Sequence, residues 1–326
     1  MTNDTTSKSS LSIGTHLRIG THLRIGTRGS PLALAQAHQV RDQLVAAHDH
    51  LDRDAIDIVT LSTKGDRIQN QALSELGGKG LFTEEIEDGL LAEDLDLAVH
   101  SMKDVPTQLP EGLGIVCMLK REDVRDAFLS DRAPSLAALP AGSVVGTASL
   151  RRQAQILHHW PHLEVVTFRG NVQSRLRKLK EGEVDATMLA LAGLNRLGLS
   201  EMATDIMPTD IMLPAIAQGA IGIETRLDDD ATRALLVPLN HRATEIRVIA
   251  ERSCLATLDG SCRTPIAGLA EIDSDVLTLR AQILLPDGSQ LHDTTCTGPL
   301  ADAAQIGREA GEVLLKAAGP DFLAEI

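Results

Sequence analysis

The sequence predicts an α/β protein with two mixed, mainly parallel sheet domains and a small α+β domain at the C-terminal end. With 326 residues, the chain exceeds the usual size of one hydrophobic core. Strand-like and helix-like segments alternate from residue 23 to residue 224, which is typical of parallel sheets with crossover helices. From residue 240 the order changes to a long helix, three extended segments and a last helix.

We expect the chain to divide into an extension, residues 1–22; a first domain, residues 23–120 with 218–238; a second domain, residues 121–217; and a third domain, residues 240–326. Residues 14–19 are repeated at once as residues 20–25. Only the second copy continues into Arg28-Gly29-Ser30-Pro31. We therefore expect the second copy to form the first strand and the extension to be loosely ordered.

Apolar periodicity and capping residues place the individual elements. Ser30 is a suitable N-cap for a helix that starts at Pro31, since proline is favoured at the first helical position. The predicted helices are 31–48, 83–91, 242–255 and 300–317, and the predicted extended segments are 20–25, 55–61, 95–99, 114–119, 127–129, 186–191, 218–224, 266–272, 277–285 and 290–297.

Composition excludes some classes of function. A formal net charge of −14 and an aromatic content of 2% without tyrosine argue against a general nucleic-acid binder, which needs positive charge and rings for base stacking. The four cysteines show no metal-site spacing, so we expect reduced thiols. The first residues lack the apolar core of a signal peptide, and no apolar run is long enough to span a bilayer. These features predict a cytoplasmic protein.

Residues 143–180 reverse the acidic balance of the chain, because they hold seven Lys or Arg against the single acid Glu164. Arg151 and Arg152 fall in the first turn of a helix, where the macrodipole disfavours cations. An anionic ligand between the dipole and the guanidiniums would offset this cost, so we expect a site for carboxylates or phosphates. Two strand–loop–helix units present residues suited to capping, Thr147 and Ser149 in one, Gly170 and Asn171 in the other.

Two further stretches bear on function. The strand 95–99 delivers polar residues 100–106 at its carboxyl end, where open α/β sheets bind ligands. The glycine loop 77–80 lacks the spacing of a P-loop and is compatible with a surface segment or a lid. Taken alone, Asp104 is compatible with an ordinary turn residue. Cys262 alone is compatible with a small buried group, although its polar turn favours an exposed thiol.

Seven motifs, in order from about residue 23 to the C-terminus, resemble the porphobilinogen deaminase (hydroxymethylbilane synthase) family. They are Arg24-Ile-Gly-Thr-Arg28-Gly-Ser30-Pro-Leu-Ala-Leu, Gly77-Gly-Lys-Gly80-Leu-Phe82, Ala98-Val-His-Ser-Met-Lys-Asp-Val-Pro106, Gly146-Thr-Ala-Ser-Leu-Arg-Arg-Gln153, Phe168-Arg-Gly-Asn171, Gln218-Gly219 and the loop around Cys262. The resemblance implies three α/β domains, the first two like periplasmic binding proteins. It also implies a dipyrromethane cofactor joined to Cys262 by a thioether.

The reaction that the resemblance implies is the stepwise condensation of four porphobilinogen molecules with release of ammonia. Each substrate forms a cationic methylene-pyrrolenine that the terminal pyrrole attacks, and hydrolysis then releases the linear tetrapyrrole hydroxymethylbilane. The resemblance further implies a monomer in tetrapyrrole and haem biosynthesis that needs no metal, nucleic acid or membrane. Its product would pass to uroporphyrinogen-III synthase.

The resemblance also implies roles for residues. Asp104 would stabilise positive charge at the pyrrole N–H groups. Each ring adds two carboxylates, which arginine binds better than lysine. The candidates for binding cofactor and substrate are Arg28, Ser30, Ser101, Lys103, Thr147, Ser149, Arg151, Arg152, Arg169, Gly170, Asn171, Arg175, Arg196 and Gln218, and those for a lid are Lys79 and Phe82. Arg196 is equally compatible with a helix-end cation. Arg177, Lys178 and Lys180 are expected on a solvated helix face.

Departures from the family pattern are local. Ala148 stands where the family commonly has serine, and Ser261 and Arg263 flank Cys262 where glycine and glutamine are common. Two other classes remain open from the residues alone. A two-lobed solute-binding protein for a small anion fits the sheets, but the third domain and Cys262 count against it. The sensing module of a transcription factor would need a helix-turn-helix segment, which we do not find in the sequence.

Overall fold

The computed structural model describes residues 22–67, 80–260 and 264–323. Ser30 caps the first helix, where its Oγ accepts a hydrogen bond of 3.3 Å from the backbone N–H of Ala33, and Pro31 occupies the first turn as predicted. The elements up to the first crossing of the chain are β1 (Leu23–Arg28), α1 (Pro31–Ala47), β2 (Ile56–Leu61), α2 (Lys64–Arg67), α3 (Glu84–Leu91), β3 (Leu97–Ser101) and β4 (Leu113–Met118).

The middle of the chain repeats the alternation of strands and helices. Its elements are β5 (Asp126–Leu129), β6 (Val144–Gly146), α4 (Leu150–His159), β7 (Glu164–Val166), α5 (Val172–Lys180), β8 (Ala186–Ala190), α6 (Leu191–Arg196) and β9 (Asp205–Ile206). The last part contains β10 (Ile221–Arg226), α7 (Asp230–Leu236), α8 (Arg242–Thr257), β11 (Ile266–Asp273), β12 (Val276–Leu284), β13 (Leu291–Pro299) and α9 (Ala303–Leu323).

Within the described residues, the strands form three sheets. The first has the order β2-β1-β3-β10-β4, the second β7-β6-β8-β5-β9, and the third β11-β12-β13. In the first two sheets a single inserted strand, β10 or β5, runs antiparallel to both of its neighbours, so the remaining strands share one direction. The third sheet is antiparallel throughout. The predicted fold class, two mixed and mainly parallel sheets plus a small α+β unit, is confirmed.

The chain crosses between the first two sheets twice, and each inserted strand follows a crossing. The first crossing lies between β4 and β5, and the second lies between β9 and β10. The predicted domain boundaries agree with this order of strands, and we retain them as a proposal. Residues 1–21 of the predicted extension, 1–22, lie outside the described residues, which begin at His22.

The structure departs from the predicted elements at several points. The strand predicted over 218–224 begins only at Ile221, because Gln218 and Gly219 lie in a turn where Gly219 has a φ of 85°. A side chain at Gly219 would contact the backbone oxygen of Glu122, so the turn requires glycine. The last helix runs to Leu323 rather than residue 317 and is kinked at Gly319, where φ is 73°. The short strand β9 was not predicted.

A buried glutamate on α8 joins the two crossings to the third sheet. Glu251 is fully buried and makes two hydrogen bonds with the guanidinium of Arg121, at 2.7 and 3.0 Å. It also accepts from the backbone N–H groups of Ala217, at 2.6 Å, and Ala270, at 2.8 Å. Arg121 lies in the first crossing, Ala217 in the second and Ala270 on β11. One carboxylate therefore bonds to all three parts of the fold.

The hydrophobic core of the third domain extends under the end of β3. Buried Met102 and Val105 belong to the same cluster as Ile246, Val248 and the inward side chains of β11 and β12. Separate clusters lie within the first and second sheets. The polar residues between Met102 and Val105 are consequently held against two domains. Within the described residues, no helix combines the length and apolarity needed to cross a membrane.

We expect Glu251→Leu to destabilise the fold by about 3–5 kcal/mol, because it leaves a buried guanidinium and two backbone N–H groups without their acceptor. Denaturant unfolding followed by circular dichroism measures this loss. The control is Glu181→Gln, which breaks the exposed pair with Arg177 and should cost less than about 1 kcal/mol. Equal effects of the two substitutions would contradict the joining role of Glu251.

Candidate active site

A cavity of about 720 Å³ lies where the two crossings meet the third sheet. Residues from all three parts of the fold line it. They include Arg28, Ser30 and Phe82; Lys103 and Asp104; Ser149, Arg151 and Arg152; Arg169, Gly170, Asn171 and Arg175; Gln218; and Leu255, Thr264 and Ile266. Among the described residues that line this cavity, Asp104 is the one carboxylate. The cavity is therefore strongly cationic.

Asp104 ends a short turn that follows β3. The turn, Met102–Asp104, is fixed by a hydrogen bond of 3.0 Å from the N–H of Met102 to the oxygen of Ala220. From α8, Arg252 donates to the carbonyl oxygens of Val105, at 2.8 Å, and Pro106, at 2.6 Å. Asp104 itself is 33% exposed towards the cavity. Its carboxylate is thus held in place by neighbouring backbone contacts while remaining open to a ligand.

Arg28 is the cation nearest to Asp104. Its Nη1 lies 3.9 Å from Oδ2 of Asp104, and its guanidinium lies 4.3 Å from the ring centroid of Phe82. A guanidinium over an aromatic face gains a cation–π attraction, which restricts its orientation. The structure thus brings together the predicted catalytic residue, a predicted binding residue and a predicted lid residue.

Arg151 and Arg152 do lie in the first turn of α4, but the acid between them belongs to the protein. Asp126, fully buried at the start of β5, accepts from Nη2 of Arg151 at 2.8 Å and from Nη2 of Arg152 at 2.7 Å. Burial works to raise the pKa of Asp126, but the two guanidiniums outweigh it and hold the pKa well below its usual range. The sequence analysis predicted an anionic ligand beside these two arginines, but the carboxylate of Asp126 occupies that position.

The same arginines have donors that the protein leaves without an acceptor. The Nε atoms of Arg151, Arg152 and Arg175 are buried and lack a hydrogen-bond partner within the part of the chain that the structure describes. All three residues line the cavity. Buried donors without acceptors are costly, so the positive charge of these guanidiniums is only partly compensated by the protein.

The start of α5 contributes a second group of cations. Asn171 caps the helix by accepting from the N–H of Ser174 at 2.8 Å, and Gly170 before it has a φ of 132°, which favours glycine. Burial, with a contribution from the nearby charges of Arg152 and Arg169, lowers the pKa of Arg175 to about 10. Guanidiniums that repel one another in a half-buried site are a favourable surrounding for carboxylates.

Lys103 is connected to the Asp126 network through Gln218. Its Nζ lies 3.5 Å from Oε1 of Gln218, whose amide donates to Oδ1 of Asp126 at 2.9 Å. Burial lowers the pKa of Lys103 to about 8; Asp104 opposes this shift, while Arg152 adds to it. Gln218 therefore joins the arginine pair of the second sheet to the Asp104 turn of the first.

Some predicted residues lie away from the cavity lining. Thr147 is buried, and its Oγ1 accepts from the N–H of Ser149 at 3.1 Å. Ser101 makes hydrogen bonds with the side chain of Gln36. Arg196 donates to the oxygen of Gly219 at 2.7 Å and so holds the second crossing. Lys79 and Cys262 lie outside the described residues.

Sequence reasoning missed Asp126, Glu251 and Arg252. One signal for Asp126 was available. The pair Arg151-Arg152 lies in a helix that must also pack against the core, and cations buried in this way require a buried acid. The prediction of a solvated face on α5 is supported by the exposed pair of Arg177 and Glu181, 2.9 Å apart.

Comparisons with known proteins cover almost the whole chain. The family model for the porphobilinogen deaminase dipyromethane cofactor binding domain matches residues 23–234, and that for the porphobilinogen deaminase C-terminal domain matches residues 245–316. The chloroplastic porphobilinogen deaminase of Oryza sativa subsp. japonica is 57% identical over 299 residues, which are 90% of this chain and 84% of that protein. Porphobilinogen deaminase of Paracoccus denitrificans is 56% identical over 295 residues, 90% of this chain and 94% of that protein.

Solved structures resemble the chain more distantly. A periplasmic substrate-binding protein of an ABC transporter from Coxiella burnetii superposes with a TM-score of 0.42 at 15% identity, covering 68% of this chain and 94% of that one. A methionine-binding lipoprotein from Bacillus subtilis, described as putative, has a TM-score of 0.42 at 11% identity, covering 68% and 90%.

The fold and the cavity define a multidomain α/β protein whose cationic site lies between its domains. The family models and the relatives identify it further: the chain belongs to the porphobilinogen deaminase family. It is a hydroxymethylbilane synthase, a transferase of tetrapyrrole biosynthesis with a dipyrromethane cofactor. The solute-binding alternative rests on a resemblance of fold alone.

Lys103 should make the stability of the protein depend on pH in the alkaline range. Its folded pKa of about 8 lies below its ordinary value of 10.5, so the unfolded chain binds the extra proton between these values. Unfolding free energy should therefore rise with pH between 8 and 10.5 relative to Lys103→Met, by at most about 1.4 kcal/mol per pH unit. Urea unfolding of both proteins across this range measures the difference.

The difference should be constant below pH 8, where Lys103 is charged in both states. Lys103→Gln serves as the control. If both variants show the same pH-dependent difference in unfolding free energy, that difference comes from the lost amine and not from altered packing. A difference that stays flat through pH 10.5 would contradict the lowered pKa.

Proposed function

We propose that the cavity holds the cofactor and the growing pyrrole chain, with Asp104 facing the pyrrole nitrogens and the cofactor attached through Cys262. One observation carries this proposal. A single carboxylate, Asp104, lies among the described lining residues, whose other charges are Arg28, Lys103, Arg151, Arg152, Arg169 and Arg175. One carboxylate among six cations suits a ligand that bears many carboxylates and only a few N–H donors.

The residues of the cavity fit a dipyrromethane group. Its carboxylates would be attracted by the guanidiniums of Arg151, Arg152 and Arg175, which line the cavity. Thr264, two positions after Cys262, lines the same cavity. The proposed attachment site therefore precedes by two positions a residue that lines the binding region, which supports the thioether at Cys262.

When bound, the dipyrromethane supplies the pyrrole carbon to which the first porphobilinogen is added, and each later one is added to the terminal ring of the growing chain. Asp104 accepts hydrogen bonds from pyrrole N–H groups and stabilises positive charge that develops on the rings, an interaction that is stronger in a partly buried site than in bulk water. Arg28, positioned by Phe82, holds a substrate carboxylate beside Asp104. Ser30, Ser149, Gly170 and Asn171 present helix N-termini and hydroxyls to further carboxylates.

The remaining predicted residues have supporting roles in this proposal. Lys103 adds a cation that is mainly charged at neutral pH, since its pKa is about 8. Gln218, Thr147 and Arg196 hold the crossings and the start of α4. Phe82, which lies against Arg28, remains a lid candidate, as does Lys79, which lies outside the described residues. We also propose a cytoplasmic monomer that passes its product to uroporphyrinogen-III synthase.

We expect the purified protein to be heavier than its sequence by one dipyrromethane group. Intact-mass spectrometry measures the difference. Cys262→Ser should lack the added mass, because no other side chain would form the thioether in its place. Cys296→Ser, on β13, is the matched control and should keep it. An unmodified mass in fully active protein would contradict the attachment at Cys262.

Asp104→Asn should keep the fold and lower the turnover of porphobilinogen by about two to three orders of magnitude, because the amide cannot stabilise positive charge. Rates of ammonia release, with thermal unfolding measured in parallel, test this. Asp230→Asn removes an exposed carboxylate from the first turn of α7 and serves as the control. Turnover of Asp104→Asn near that of the unaltered protein would refute the role of Asp104.

A further inference from the structure

A second, smaller cavity extends from Asp104 into the first domain. It measures about 60 Å³ and shares Arg28, Ser30, Phe82 and Asp104 with the main cavity. Its other polar lining residues are Gln36, Thr83, His100 and Ser101. This volume accommodates two or more water molecules, since about 10–15 Å³ suffices for each, and the lining offers several hydrogen-bond partners. A polar path therefore leads from Asp104 to His100.

The path ends at a buried pair of titratable side chains. Nε2 of His100 lies 2.9 Å from Oε2 of Glu224, and the two side chains are 4% and 0% exposed. His100 pairs with Gly222 across β3 and β10, and Glu224, two positions further, shares its face of the sheet. The second oxygen of Glu224 has no hydrogen-bond partner among the described residues.

Two other charged groups face this pair from neighbouring helices. Glu87 on α3 is buried; burial raises its pKa, as does the charge of Glu224, while His100 opposes the shift. Arg252 on α8 has its pKa lowered to about 10 by burial, and Glu224 opposes that shift. At the cavity end, the facing charges are Arg28 and Asp104. The charged groups around His100, Glu224 included, therefore comprise more carboxylates than cations.

The reaction of this family requires such an acceptor. In each addition the C–N bond of the aminomethyl group breaks and ammonia departs. A C–C bond then forms between the methylene carbon and the α-carbon of the terminal pyrrole, and that α-carbon loses its proton. The electron pair of the C–H bond restores the aromatic ring, and the proton finally leaves with ammonia as ammonium. Between these steps a group near Asp104 must hold the proton.

We propose that His100 and Glu224 form a proton-transfer path with Asp104 through water in the small cavity. The proton passes from the α-carbon of the terminal pyrrole to Asp104, then through water to His100, where Glu224 stabilises the imidazolium. It returns by the same path to the ammonia already released by C–N cleavage, which leaves as ammonium. Ser101 and Gln36, bonded to each other at 2.8 Å, orient the water. In this proposal His100 and Glu224 do not contact the substrate. They are positioning residues, which act through Asp104. This proposal rests on the proposed function of the main cavity.

The first test is Glu224→Gln, which keeps the shape and an acceptor for His100. We expect the rate of the first addition, measured by rapid quench, to fall ~10–100-fold, with KM for porphobilinogen and the dipyrromethane mass unchanged. The acid limb of the pH profile should move to lower pH, because the imidazolium has lost its counter-charge. Thr225→Val, a buried substitution on the same strand and the opposite face, should alter neither rate nor profile.

The second test is His100→Ala with added imidazole. Partial recovery of the rate by imidazole supports the path, since a purely structural histidine would not be replaced by a free base. A wild-type rate and pH profile in Glu224→Gln, or an unrescued His100→Ala that stays folded, would overturn it.

A third measurement needs no variant and decides the case if both variants fail to fold. The single-turnover rate of the unaltered protein is followed in mixtures of H₂O and D₂O. A curved dependence on deuterium fraction means several protons in transit and supports the path; a linear one contradicts it. Failure of the proposed function would look different, since the unaltered protein would then neither consume porphobilinogen nor carry the added mass.

Discussion

The hydrogen bonds of Glu251 are the interaction on which the three-part architecture depends. Both crossings of the chain approach this carboxylate, one through Arg121 and the other through the N–H of Ala217, and β11 reaches it through Ala270. A buried carboxylate is tolerated only when its partners are complete, so the three contacts stabilise one relative arrangement of the sheets. The cavity exists because that arrangement leaves a space between them.

The same helix also determines where the reactive carboxylate lies. Arg252, next to Glu251, bonds to the carbonyl groups that follow Asp104, and Leu255, one turn further, lines the cavity. α8 thus connects the crossings, the Asp104 turn and the segment that leads to Cys262. Electrostatics completes the site, because Asp126 offsets only part of the charge of Arg151 and Arg152, whose side chains line the cavity. Two buried acids therefore have different effects. Glu251 fixes the relative positions of the sheets, and Asp126 neutralises only part of the positive charge at the cavity.

Much of the fold and family could be predicted from the sequence, because strand–helix alternation, caps and motif order are local signals. Ser30, Asn171 and the polar end of β3 were found in this way. The role of Asp126 could not be, because its partners Arg151, Arg152 and Gln218 are distant in sequence and are brought together only by the pairing of β5 with β8 and by the second crossing. β9 has too few residues to show a period, and Gln218 follows an apolar run that resembles a strand but ends in a turn.

The inserted strands have a consequence for synthesis on the ribosome. β10 separates β3 from β4 in the first sheet, yet it is made after the whole second sheet. A nascent chain that has just completed β9 therefore has β3 and β4 without their shared neighbour, and both present open edges of the kind that pair wrongly with other chains. Emergence of the short segment Ile221–Arg226 closes both edges at once. The first domain to be translated is consequently the second to be finished.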